Sequence, residues 1–293
     1  MQYINGIEDY YGDKKTAVTL GKFDGLHRGH QKLIERINSY ASEELSRVMC
    51  AFAMGGEMLL SEKERITQLE NQLDVLISCP FTEAIRTMEA DVFIKEVLVE
   101  RLQAAHVIVG DDFRFGYQKR GDIQVLEKYA SIYGYCLDVV PQEMYQGREI
   151  SSTYIKEALQ TGDVVLANTL LGYEYEIAGV VEYGRQLGRT LGFPTINVIP
   201  PAGKFLPQFG VYSCVVEMDH QQFEGICNIG IKPTVEEKPQ ILAEVHLFNY
   251  TGNAYNKEVR IKFQTFIRAE KKFDSVTALK EQIACDIAHN IQI

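Results

Sequence analysis

The hydrophobic pattern of this 293-residue chain changes its period near residue 170, and that change constrains the fold more than any single residue does. Before it, short apolar runs alternate with amphipathic stretches. Thr16 to Leu20, Arg47 to Ala53, Asp74 to Ser78, His106 to Val109 and Tyr135 to Val140 read as strands. Between them lie helical segments. One opens on Ser61-Glu62-Lys63-Glu64, a capping-box pattern, and another spans Asp122 to Tyr133 and stops at Gly134. Strands that alternate with helices imply a parallel sheet covered on both faces, whose ligands bind beyond the carboxyl ends of the strands.

After Gly172 the rhythm is β-rich: Tyr175 to Tyr183, Val211 to Met218, Phe223 to Asn228, Leu242 to Asn249 and Lys257 to Phe263, separated by Gly, Pro and Asn. Such runs predict an antiparallel sheet or small barrel. A closing helix, Asp274 to Asn290, carries Val276, Leu279, Ile283 and Ile287 at helical spacing. The expected architecture is an α/β domain over residues 1–170 and an antiparallel β domain with a terminal helix over 171–293, joined through a helical stretch near 160–175.

Formal net charge is −10. Duplex nucleic acid demands a basic face, so nucleic acid is not an expected partner. A small phosphorylated ligand needs only a local basic pocket, for which Lys22, Arg28, Arg114, Lys119 and Arg120 are available. No apolar run approaches the roughly 18 residues of a membrane span, and no signal core follows the N-terminus, so a membrane is not expected and the cytoplasm is. The six cysteines (Cys50, Cys79, Cys136, Cys214, Cys227, Cys285) form no C-x-x-C pair, which suits reduced, mostly buried thiols.

Gly21-Lys22-Phe23-Asp24-Gly25-Leu26-His27-Arg28-Gly29-His30 carries an apolar strand through a glycine turn into a helix. Helix N-termini leave backbone N–H groups unpaired and end on a positive partial charge, so phosphate is the natural guest. His27 and His30, three apart, share one helical face. No second His/Cys cluster completes a zinc site. Nucleotidyl transfer attacks the α-phosphorus of a nucleoside triphosphate, and preplaced donors such as these stabilise the charge that builds on its oxygens. Asp24 shapes the turn or contacts the ligand. In isolation the same residues would read as an Asx turn with two surface histidines.

Two further loops belong at the same sheet edge. Val109-Gly110-Asp111-Asp112-Phe113-Arg114-Phe115-Gly116 combines acid, base and aromatics, with plain packing of Phe113 and Phe115 the alternative. Ile150-Ser151-Ser152-Thr153-Tyr154-Ile155-Lys156 opens a helix with three hydroxyls and a lysine one turn in, which suits phosphate as well as capping.

In the second half, Leu187-Gly188-Arg189-Thr190-Leu191-Gly192-Phe193-Pro194-Thr195-Ile196-Asn197 reads as one glycine-rich loop built around phosphates, or as a turn-rich hairpin. The Thr195 hydroxyl and Asn197 amide oxygen are hard ligands suited to nucleotide-borne Mg²⁺. In Leu242 to Phe248 the strand period sends Ala243, Val245 and Leu247 to one face and Glu244 and His246 to the other. Glu244 is thus a candidate general base for a substrate hydroxyl, or a solvated strand carboxylate.

Taken in order, these motifs resemble the bacterial bifunctional riboflavin kinase / FMN adenylyltransferase (FAD synthetase) family. The resemblance runs through Gly21 to His30, Val109 to Gly116, Ser151 to Lys156 and Gly188 to Asn197. It continues through Gly210-Val211-Tyr212, Asn228-Ile229-Gly230 before Pro233-Thr234, Glu244-Val245-His246, and Arg268 with Lys272-Phe273-Asp274-Ser275.

It implies a Rossmann-like nucleotidyltransferase of the HIGH type followed by a flavokinase β-barrel, which convert riboflavin to FMN and FMN to FAD with ATP and Mg²⁺. By this match His27 and His30 hold ATP phosphates, with Gly21, Phe23, Asp24, Gly29, Ser152, Thr153 and Lys156 around them. Asp112, Phe113, Phe115 and Arg268 face flavin. Gly188, Arg189, Gly192 and Pro194 line the kinase nucleotide, Thr195 and Asn197 hold Mg²⁺, and Glu244 is the base. A homo-oligomer is compatible with the chain.

Departures from the family pattern lie at Phe52-Ala53-Met54-Gly55-Gly56-Glu57, where relatives usually carry Phe-Asp-Pro-His-Pro, and at Glu149, Lys156 and Ile196. A member with one activity only, or a flavin-binding regulator without turnover, are the alternative expectations.

Overall fold

The computed structural model describes residues 1–8, 10–41, 44–184, 188, 192–232 and 240–290. These form two compact units, Met1–Ser152 and Thr153–Ile293. Among the described residues no helix is long and apolar enough to cross a membrane.

The first unit is built on six parallel strands: β1 (Gln2–Asn5), β2 (Thr16–Gly21), β3 (Ser46–Ala53), β4 (Val75–Pro80), β5 (Ala104–Gly110) and β6 (Cys136–Val140), in the order β1-β4-β3-β2-β5-β6. The central strands are near-continuous apolar runs because both of their faces are covered. In β2, Ala17, Val18 and Leu20 are all buried. The edge strand β1 is four residues with exposed ends, too short and polar to stand out in the sequence.

Helix α1 (Arg28–Asn38) buries Leu33, Ile34 and Ile37. The expected capping box starts α2 (Glu62–Leu69): Ser61 Oγ accepts from Glu64 N and Glu64 accepts from Ser61 N. Short helices α3 (Glu83–Thr87) and α4 (Ala90–Val92) lead into a π-helical stretch, Phe93–Arg101. Helix α5 (Ile123–Tyr133) is capped by Asp122 and ends on Gly134 at φ 79°, a left-handed position that glycine adopts without strain. A small hairpin, β7 (Met144–Tyr145) with β8 (Arg148–Glu149), precedes Ser152.

Helix α6 (Ser152–Gln160) starts on the last residue of the first unit and runs on in the second, followed by α7 (Val164–Leu171). The second unit continues as a closed antiparallel barrel of β9 (Glu176–Glu182), β10 (Thr195–Val198), β11 (Gly210–Met218), β12 (Gln221–Lys232), β13 (Gln240–Leu247) and β14 (Glu258–Ala269), in the order β10-β13-β12-β11-β14-β9. Pairing of β10 with β9 closes the ring and leaves no free edge. Inward-facing Val181, Val198, Tyr212, Val216, Ile229, Val245 and Phe263 fill it. Asn168 fastens α7 to the barrel by donating to Phe263 O and accepting from Tyr175 N.

One expectation is corrected. The stretch expected as one loop to Asn197 contains β10, where buried Ile196 and Val198 prevail once Pro194 has ended the preceding turn. The expected terminal helix is α8 (Val276–Asn290), in which Val276 is exposed and Asp286 is buried, held by Arg268 of β14.

Candidate functional sites

In the first unit, β2 hands over to α1 through Phe23 (φ 48°), Gly25 (φ 92°) and Leu26 (φ 43°). Two non-glycine residues in left-handed geometry within four positions mark a turn held by its surroundings. Asp24 provides much of that hold. It is fully buried, Oδ1 accepts from Leu59 N at 2.6 Å, and its carbonyl accepts from Ser152 Oγ at 2.7 Å. These contacts support its reading as a residue that shapes the turn.

His27 is the N-cap residue of α1 and His30 lies in its first turn. Their rings stack with centroids 3.7 Å apart, and Phe23 lies 5.1 Å from His30. A Cβ on Gly29 would stand 3.3 Å from the His27 ring, so glycine leaves room for the stack. Burial lowers the His27 pKa to about 4, against a smaller raising effect of Asp24. Burial and then His27 push His30 well below its usual value. Both rings are therefore neutral near pH 7. Each has a buried Nδ1 with no hydrogen-bond partner among the described residues. Such atoms are costly to leave unmade, and a ligand can satisfy them.

The sheet order reverses between β2 and β5, and the cavity at their carboxyl ends measures about 410 Å³. Gly21, Phe23, His30, Asp112, Phe113 and Phe115 all line it, with Lys22, Arg114 and Lys119 as its cations. Phe113 and Phe115 stack at 5.6 Å, and Phe93 packs 5.5 Å from Phe115. Phe115 packs in the core and at the same time walls the cavity.

Phe52 and Met54, from the segment that departs from the family pattern, also line that wall, and sequence reasoning missed Phe81 and Phe93. The available signal was an aromatic residue just past β4. Arg28 is not a cavity cation: Glu143 binds it at 2.6 Å and also pairs with Lys32. Arg120 lies 3.7 Å from Glu89. Glu149 is raised by burial and then by Asp112 and Asp111. Thr153 and Lys156 fall in the second unit, where Lys156 Nζ stands 5.3 Å over the Phe205 ring.

In the second unit, Thr195 and Asn197 share one face of β10, paired with His246 and Glu244 of β13. Thr195 Oγ1 donates to Glu244 Oε1 at 3.0 Å. Two glycines make room for this face. A Cβ on Gly184 would sit 2.1 Å from Asn197 Nδ2, and one on Gly188 would sit 2.4 Å from Phe193 O. Gly192 turns at φ 89°. Pro194 O lies 2.9 Å from His246 Nδ1.

A cavity of about 280 Å³ is lined by Gly188, Thr195, Glu244, His246, Arg268 and Asp286. Arg268 does not project freely: Asp286 holds its Nε and Nη2 at 2.8 to 3.0 Å. Arg189 lies outside the described residues. Hydroxyl, amide and carboxylate oxygens with glycine clearance around them fit a hard cation such as Mg²⁺, which takes few protein ligands and completes its shell with phosphate and water. Among the described residues no cluster of three His, Cys, Asp or Glu offers a different metal site.

Comparison with known proteins covers both units. A family model described as FAD synthetase matches residues 11–154, and one described as riboflavin kinase matches 171–293. Curated relatives named bifunctional riboflavin kinase/FMN adenylyltransferase are similar over nearly the whole chain. That of Haemophilus influenzae is 36% identical, covering 98% of this chain and 97% of its own. That of Bacillus subtilis is 35% identical, covering 93% and 90%. A solved structure described as a macrolide-efflux protein from Streptococcus pneumoniae superimposes with a TM-score of 0.89 at 26% identity, covering all of both chains. The chain belongs to the bifunctional riboflavin kinase/FMN adenylyltransferase family.

Proposed function

We propose that this chain makes FAD in two steps, phosphorylating riboflavin to FMN in the second unit and adenylylating FMN in the first. The observation that carries this reading is that each unit holds a cavity lined by residues expected at one of the two sites, His30, Phe113 and Phe115 in the first and Thr195 and Glu244 in the second.

In the kinase step the ribityl 5′-hydroxyl attacks the γ-phosphorus of ATP, its proton passes to Glu244, and ADP departs. Thr195 and Asn197 hold Mg²⁺, which when bound neutralises the phosphate oxygens. Phosphoryl transfer depends mostly on such positioning. Gly184 and Gly188 keep the face of β10 open, and Arg268, oriented by Asp286, forms one wall of the flavin pocket.

In the transferase step a phosphate oxygen of FMN attacks the α-phosphorus of ATP and pyrophosphate leaves. His27 and His30, neutral at working pH, donate N–H groups to the phosphate oxygens beside the first-turn amides of α1. The phenylalanine wall covers the flavin ring. Ser152 braces the turn through its hydrogen bond to the Asp24 carbonyl. The cytosol is the proposed location, in keeping with six free cysteines.

Incubating the purified chain with riboflavin, ATP and Mg²⁺ and separating the flavins tests the reading. FMN followed by FAD is the expected sequence of products. Absence of FMN overturns the kinase assignment, and absence of FAD from supplied FMN overturns the transferase.

A further inference from the structure

His246 belongs to no step of the mechanism above, yet it lies between the two residues on which the kinase step depends. It stands opposite Thr195 in the β10–β13 pairing and two positions from Glu244 on the same strand face. It also lines the same cavity. Its Nδ1 is 2.9 Å from the carbonyl oxygen of Pro194, the residue just before β10. A carbonyl oxygen only accepts, so Nδ1 is the donor of this bond.

The position of that bond has a backbone reason. The β10–β13 ladder begins at the Thr195–His246 pair, and Pro194 has no N–H with which to extend it. Upstream, Phe193 N is bound to Gly188 O at 2.8 Å. Pro194 O is thus the point at which the glycine turn ends and the strand begins, and a side chain, not the ladder, holds it. The ring is further oriented by an edge contact with Phe193, centroids 5.7 Å apart at 89°, and by Phe248 at 5.8 Å. One residue on, Thr195 Oγ1 meets Glu244 at 3.0 Å.

We propose that His246 is a positioning residue of the kinase site, whose Nδ1–H pins the Pro194 carbonyl and thereby sets where Thr195 meets Glu244. The inference rests on the kinase reading of Thr195 and Glu244. It assigns His246 no proton transfer and no contact with the reacting atoms.

The test compares His246→Ala with His246→Asn in the full chain, since the asparagine amide nitrogen can take the place of Nδ1 as donor. Removing an outer-shell partner of this kind costs about 10–100-fold. His246→Ala is therefore expected to lower kcat for FMN formation by that factor with little change in KM for riboflavin. His246→Asn restores most of the rate. FAD formation from supplied FMN, unchanged in both, reports intact folding.

An independent readout is the ¹⁵N spectrum of histidine-labelled protein without substrates, in which His246 should show the Nδ1–H tautomer. Full activity in His246→Ala overturns the proposal. So does an asparagine variant as slow as alanine with FAD formation intact, or an Nε2–H tautomer. If His246→Ala does not fold, the spectrum and the asparagine variant decide. Failure of the unaltered chain to make FMN removes the kinase reading itself, while the tautomer still reports whether the Pro194 bond exists.

Discussion

His27 and His30 stack face to face with ring centroids 3.7 Å apart, and burial keeps both rings uncharged. Two imidazolium ions at that distance inside the protein would repel strongly, so the stack exists only while the pair is neutral. The first unit therefore offers phosphate a pair of neutral donors and a helix terminus, with charge supplied by Lys22, Arg114 and Lys119 at the cavity wall.

Acid should loosen this arrangement. The folded pKa of His27 is about 4, below the 6.5 of an unperturbed histidine, so the unfolded chain binds more protons between those values. Its contribution to stability is fully present above pH 6.5 and is lost as pH falls toward 4, on the order of 3 kcal/mol in all. Urea unfolding at pH 7 and pH 4.5 should show the loss. A His27→Gln variant should show a shallower dependence, and an unchanged slope would contradict the neutral stack.

His30→Ala should leave FMN formation intact and slow FAD formation by about 100-fold, the effect of one lost transition-state donor. Separate assays of the two steps on the same preparation decide it. Equal loss of both activities would contradict two independent sites.

Glu244→Gln keeps the size of the side chain and removes the base. FMN formation should fall by about 10²–10⁴-fold while FAD is still made from supplied FMN. An unchanged rate of FMN formation would remove Glu244 from the mechanism.

Gly184→Ala places a Cβ where Asn197 Nδ2 now lies, 2.1 Å away, so the amide must move. The expected result is a higher Mg²⁺ concentration for half-maximal FMN formation, with the adenylylation rate unchanged. Titration of Mg²⁺ in the kinase assay measures it, and an unaltered Mg²⁺ requirement would show that Asn197 is not a ligand.

Asp286→Ala leaves Arg268, whose side chain is 22% exposed, without its carboxylate partner. Breaking a largely buried pair from one side costs about 3–5 kcal/mol. Thermal unfolding should show a lowered transition, accompanied by a higher KM for riboflavin as the cavity wall loosens.

Much of this protein was legible in its residues before any coordinates. The capping box at Ser61, the Asp122 and Gly134 helix ends and the five longer strands of the first unit are local features, set by spacing and by which side chains satisfy terminal backbone groups. The same holds for Glu244 and His246 sharing a face, since a strand's period is a property of its own backbone. β10 escaped because four residues after a glycine-rich turn carry little periodic signal. Their identity as a strand comes from β9 and β13, more than ten and forty residues away.

What the sequence by itself determined is the order of the elements, the two architectures and the residue types available for phosphate, flavin and metal. Tertiary structure alone decided how they are used. It placed Phe52, Phe81 and Phe93 beside Phe113 and Phe115. It assigned Arg28 to Glu143 and Arg268 to Asp286, turned Asp24 into a brace for Leu59, and set His246 against Pro194. The reason is physical: periodicity and capping act over a few residues, whereas burial, charge pairing and cavity shape arise only when segments distant in sequence exclude water together.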